Sequence, residues 1–140
     1  MARIKIHLPT EFIFSAEIAV RITDLNYGNH LANDKLLSII HESRVMFLSH
    51  FGYTELNCAG KSLIMGDVAI EYKNEAFYGD KLEIQIVAGD FSRVSFDLYY
   101  LIKTESKIIA KAKTGMVMYD YVKKAVVEVP DILKEQFTQK

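Results

Sequence analysis

Five segments of this 140-residue chain alternate apolar and polar residues with period two. One further segment, lying between the first two of them, repeats its apolar residues every three to four positions. The shorter period places apolar side chains on one face of a strand, and the longer one on one face of a helix. Phe12, Phe14, Ala16, Ile18, Val20 and Ile22 define the first strand, with Ser15, Glu17, Arg21 and Thr23 between them. Ile64, Gly66, Val68, Ile70 and Tyr72 define the second, and Leu82, Ile84, Ile86 and Ala88 the third. Val94 to Ile102 carries the fourth, and residues 107 to 121, with Ala110, Ala112, Thr114, Met116 and Met118, the fifth. Four strands therefore follow the helix and one precedes it.

The helical segment is NDKLLSIIHESRVMFLSHFG, in which Leu36, Leu37, Ile40, Phe47, Leu48 and Phe51 share a stripe. Asn33 or Asp34 is expected to cap its start and Gly52 to end it. Ile39, Val45 and Met46 fall outside the stripe, which predicts a helix covered on more than one side. The joints NEAFYGD, AGDFS and TES are too short for crossover helices, so the last four strands should pair antiparallel. DILKEQF, after Val129 and Pro130, is expected to form a short terminal helix.

Length and a 50% apolar content suit a single domain over residues 1–140 with one core. Seventeen basic against eighteen acidic side chains leave no basic footprint for a nucleic-acid partner. Cys58 is the only cysteine, which rules out an internal disulfide and any CxxC site and fits a reducing, cytoplasmic setting. The opening MARIKIHLPT lacks the apolar stretch of a secretion signal, and no run is long enough to span a bilayer, so no membrane partner is expected.

One segment is unusually rich in polar side chains. RITDLNYGNHLAND packs Asp24, Asn26, Gly28, Asn29, His30 and Asn33 between the first strand and the helix. Asn, Asp and Gly suit turns, so an Asx turn or a capping network accounts for the cluster without any chemistry.

The order of one strand, a buried helix and four antiparallel strands resembles the hotdog fold, an α+β architecture in which a five-stranded antiparallel sheet wraps a long central helix. Locally the chain resembles the 4-hydroxybenzoyl-CoA thioesterase-like branch, whose members commonly carry D-x-D-x-x-G-H-V-N-N before the helix, where this chain has DLNYGNHLAN. HESRVMFLSHFG looks like the family's E-A-R-x-x-F-L, Gly79-Asp80 opens a strand as in the family, and AKAKTGMVMYD matches its last strand. The resemblance runs from about residue 12 to about residue 133. Two departures stand out: Asn26 occupies a position where many members have Asp, and Gly28 falls one position early, before an extra Asn29. Plant acyl-carrier-protein thioesterases use a related D-x-N-x-H-V-N pattern, with Asn and His closer together than Asn26 and His30.

The resemblance implies hydrolysis of an acyl-CoA or acyl-carrier-protein thioester, with no metal and no organic cofactor beyond the coenzyme A of the substrate. Such chemistry needs an activated water or an attacking carboxylate, and donors for the oxyanion. Asp24 is the first candidate base, with Asn26 orienting a water beside it if the chain is still extended there. His30 can polarise the carbonyl or hold the carboxylate, and the amides of Gly28 and Asn29 are candidate oxyanion donors. Glu42, in the helix at the place of the family's Glu, is the alternative base. Asn26 cannot take the proton, which leaves Asp24, Glu42 or His30. Tyr27, Asn33, Tyr72, Lys73 and Arg93 are candidate substrate contacts, the two cations for coenzyme A phosphates together with Lys111 and Lys113. Packing explains the tyrosines, Tyr53 included, equally well, and lysines on exposed strands also discourage aggregation. Cys58, His7, His41 and His50 are expected to be structural or exposed. The family further implies a homodimer or homotetramer. A non-catalytic thioester binder and a hydratase or dehydratase of the same superfamily are the rival readings.

Overall fold

The computed structural model describes residues 3–139. Its elements in chain order are β1 (Phe14–Ala19), a 3-10 turn (Ile22–Asp24), α1 (Asn33–His50), β2 (Ser62–Tyr72), β3 (Lys81–Gly89), β4 (Ser95–Lys103), β5 (Ile108–Asp120), β6 (Ala125–Val126) and α2 (Asp131–Gln136). The strands form one sheet in the order β1-β3-β4-β5-β2, antiparallel at every pairing, with β6 on the end of β5. The expected strand set is thus present, with β6 as a two-residue addition. Among the described residues no helix is long and apolar enough to cross a membrane.

Alternation sets the faces where strands are central. Phe96, Leu98, Tyr100 and Ile102 of β4 are all buried, as are Ala110, Ala112, Thr114, Met116 and Met118 of β5. Against them α1 buries Leu36, Ile39, Ile40, Phe47 and Leu48. Burying side chains of this size contributes roughly 1.5–3 kcal/mol each, so this seam is the main source of fold stability. Phe137, just past α2, packs on Phe47, Phe51 and Phe96 and closes one end of the core.

Three expectations are corrected. The first strand ends at Ala19, because Ile22–Asp24 turn into a 3-10 helix and leave Ile22 exposed. The alternation of β2 breaks at a register shift between Met65 and Asp67, and this edge strand leaves Val68 and Tyr72 exposed. Of the three apolar residues outside the stripe of α1, Ile39 is buried as expected, whereas Val45 and Met46 are exposed within a single chain.

The ends of α1 also differ from each other. At its C-terminus the N–H of Tyr53 donates to Leu48 O and that of Gly52 to Ser49 O, a Schellman closure with Gly52 at φ +81°, as the sequence predicts. Its N-cap is Ala32 rather than Asn33 or Asp34, and no side chain caps it. The start is fixed instead by two tertiary backbone bonds, Leu31 N to Ala76 O (2.8 Å) and Ala32 N to Asp24 O (2.9 Å). The first amides of the helix are consequently left without side-chain acceptors.

Candidate active site

The chain enters α1 through a small hairpin. Asn26 N donates to His30 O and Asn29 N to Asn26 O, which closes a three-residue loop of Tyr27, Gly28 and Asn29. Such a loop needs its third residue in the left-handed region, and Asn29 supplies it at φ +64°. The extra asparagine therefore has a backbone reason. Gly28 N donates to Asn26 Oδ1 at 2.9 Å, an Asx turn. The two expected oxyanion donors, Gly28 and Asn29, thus spend their N–H groups inside the hairpin. Tyr27 stands fully exposed at its tip.

His30 emerges from this hairpin with its ring Nδ1 3.2 Å from Leu31 O and its Nε2 3.8 Å from Glu75 Oε1. It faces a cleft of about 210 Å³. The uncapped start of α1 (Ala32, Asn33, Leu36) forms one wall and the chain from Tyr72 to Ala76 the other, with Leu31 and Ile109 as further apolar lining. Tyr72 spans the mouth and donates its hydroxyl to Asn33 O at 3.2 Å. Burial first, and then the nearby charge of Asp34, push the Tyr72 phenol up, so it stays a neutral donor. The cleft joins an imidazole, a carboxylate and an apolar lining at the start of α1, the end of the helix that carries partial positive charge. That set can hold a carbonyl oxygen, a water and an acyl chain together.

Of the predicted site residues, His30, Asn33, Tyr72 and Lys73 line this cleft. Asn26 lies beside it: a Cβ placed on Gly28 would sit 3.2 Å from both Asn26 Oδ1 and His30 Nε2. Asp24 is elsewhere. The 3-10 turn ends the extended run that would have put Asp24 and Asn26 on one side, and Asp24 is 1% exposed. Its carboxylate accepts from Arg21 N (2.8 Å), Nε (3.3 Å) and Nη2 (3.1 Å). Burial alone would raise its pKa, but the hydrogen bonds and charge of Arg21, helped by Lys35, hold it below its ordinary value. Glu42 lies exposed on the outer face of α1, beside Ser38 and Ile39 and facing Arg21 and Ile18.

The remaining candidates are placed apart from the cleft or paired. The ammonium of Lys73 is 3.1 Å from Glu71, Arg93 is 3.6 Å from Glu128, and Lys113 bridges Asp67 and Asp97. Lys111 faces Glu71 across the β2–β5 ladder. Tyr53 donates to Gln136. Cys58 is buried, and burial pushes its thiol up to about 12, where it is no nucleophile. Glu75 is the carboxylate that lines the cleft, at a position no sequence motif marks.

The match to known proteins agrees with this architecture. The family model of the thioesterase-like superfamily matches residues 20–137, and the chain belongs to that superfamily. A curated relative, the "Putative esterase" of Aquifex aeolicus (strain VF5), is 27% identical over 128 residues, covering 89% of this chain and 98% of the relative. The hotdog fold is shared with solved thioesterase structures. Slr0204, a 1,4-dihydroxy-2-naphthoyl-CoA thioesterase from Synechocystis, superposes with a TM-score of 0.79 at 19% identity, over 89% of this chain and 94% of that one. The "YbaW Probable Thioesterase" of Escherichia coli superposes with a TM-score of 0.75 at 22% identity, over 89% and 98%.

Proposed function

We propose that this protein hydrolyses acyl thioesters, acyl-CoA or acyl-carrier-protein, to free acid and thiol in the cleft at the start of α1. The observation that carries the proposal is the uncapped helix start opening into an apolar-lined cleft beside His30. A thioester carbonyl oxygen gains negative charge as water adds, and unpartnered first-turn amides with the helix dipole behind them stabilise that charge without reorganising. The acyl chain lies on Leu36, Ala76 and Ile109, and Tyr72 and Asn33 bound the mouth. His30 Nε2 orients the water. Lys73 can leave Glu71 for a phosphate of coenzyme A, because an exposed ion pair contributes little. As proposed, the reaction uses water, the thioester and side chains of this cleft, with coenzyme A entering as part of the substrate.

Release of free thiol from a panel of acyl-CoA and acyl-carrier-protein substrates tests this reading. Thiol should appear faster than in buffer for at least one acyl class. Binding without release would identify a carrier of thioesters, and addition of water across an enoyl-CoA a hydratase.

A further inference from the structure

Hydrolysis at this cleft leaves one participant unassigned, the group that takes the proton of the attacking water. Asn26 is an amide and has no such capacity. Asp24 is closed off by Arg21, and Glu42 lines a separate hollow with Ile18, Arg21, Ser38 and Ile39. Two groups lining the cleft can take a proton, the imidazole of His30 and the carboxylate of Glu75, and Glu75 is the one carboxylate of the lining.

We infer that Glu75, set 3.8 Å from His30 Nε2 across the cleft, is the catalytic base that accepts the proton of the attacking water, with His30 orienting that water. The inference rests on the hydrolytic reading above and adds a residue to it.

Three features of the geometry carry it. First, the contact of Nδ1 with Leu31 O is satisfied only by a proton on Nδ1, which leaves Nε2 as the lone-pair nitrogen of the neutral ring. Second, 3.8 Å is too long for a direct hydrogen bond and short enough for one water to touch both Nε2 and Oε1. That water gives one hydrogen bond to the imidazole and one to the carboxylate, and keeps a lone pair for the carbonyl carbon. Third, the backbone on either side of Glu75 is pinned. Asn74 donates through N to Ile109 O (3.2 Å) and through Nδ2 to Ile108 O (2.7 Å). Ala76 O accepts from Leu31 N, which directly follows His30 (2.8 Å). The same bond that seats the start of α1 therefore ties together the two backbone segments that carry His30 and Glu75.

The step balances. The water oxygen bonds to the acyl carbon, one water O–H breaks and its proton passes to Glu75, and the carbonyl electron pair moves to the oxygen held by the helix amides. The oxyanion then collapses, the C–S bond breaks, and Glu75 returns the proton to the thiolate sulfur. Acid and thiol leave, and the carboxylate is restored.

The test is steady-state thiol release on the best acyl-CoA of the panel for wild type, Glu75→Gln and Glu75→Ala, the last with and without added formate. Glu75 is 61% exposed, so the variants should fold, and their melting temperatures check this. Expected is a fall in kcat of about a hundredfold or more in Glu75→Gln with KM nearly unchanged, and partial recovery of Glu75→Ala by formate. A kcat within threefold of wild type in Glu75→Gln, or a loss that formate does not restore in Glu75→Ala, overturns the role of Glu75 and leaves the hydrolytic reading standing. Absence of thiol release by the wild type removes both.

Discussion

At Asp24 a carboxylate is buried yet ionised, because Arg21 supplies three hydrogen bonds to it from backbone and guanidinium. Its folded pKa is lowered, so the stability it contributes is present above the ordinary Asp value near about 4 and is lost as the pH falls through the lower folded value. Asp24→Asn should cost about 1–2 kcal/mol at neutral pH, a modest figure because the Arg21 side chain is largely exposed. Denaturant titrations at pH 7 and pH 3 should show that gap shrinking in acid; a gap that widens contradicts the assignment. Gly28 presents a different constraint. Its backbone is not in the left-handed region, but an added Cβ would press on Asn26 Oδ1 and His30 Nε2 at 3.2 Å. Gly28→Ala should therefore lower kcat roughly tenfold with little change in melting temperature, whereas parallel losses of activity and stability would make the glycine a folding residue only. The sequence displayed His30, Asn33, Tyr72 and Lys73 as candidates because their residue types stand out in a motif or at a strand end. Glu75 gave no local signal. It lies in an ordinary loop, and only the β2–β5 pairing and the Leu31–Ala76 bond bring it to the imidazole.

At the scale of elements, α1 carries both the site and the polar part of the core. Arg44 is buried, donates to Glu55 at 3.0 Å and contacts the Tyr100 hydroxyl, which in turn meets Thr114. His41 adds a second contact to Glu55 at 2.7 Å. Burial would raise the Glu55 pKa, but these two partners lower it, so its contribution too is present above the ordinary Glu value and lost in acid. Glu55→Ala strands the Arg44 charge and should destabilise the fold by roughly 2–3 kcal/mol, less than for a fully buried pair because Glu55 keeps some solvent contact. Chemical denaturation reads this directly, and a change below about 0.5 kcal/mol would mean that Arg44 finds another partner. Periodicity made the helix and the faces of β3, β4 and β5 readable, since both their neighbours and their burial are regular. It failed at the end of β1 and along β2, where a 3-10 turn and a register shift override the alternation. It failed also at the start of α1, where tertiary backbone bonds stand in for a side-chain cap.

For the whole molecule, short joints made antiparallel pairing readable, and the order of elements resembled the hotdog arrangement. A single chain leaves two sheet edges open, β1 and the longer β2. β2 ends the sheet with Met65, Val68 and Tyr72 exposed, a row of backbone groups and apolar side chains suited to a second copy. A symmetric dimer joined along β2 is the expected assembly. Light scattering at micromolar concentration should give twice the mass of the chain, and Val68→Lys should shift it toward the monomer; a monomeric wild type contradicts the expectation. The central claim, that thioesters are cleaved in the cleft between His30 and the start of α1, is tested most directly by the rate of thiol release from acyl-CoA by wild type and by His30→Gln at equal folded fraction. Measurable turnover is expected in the wild type, with a fall of at least about tenfold in kcat when the imidazole is removed. Unchanged turnover in His30→Gln, with the same melting temperature, would place the chemistry somewhere other than this cleft.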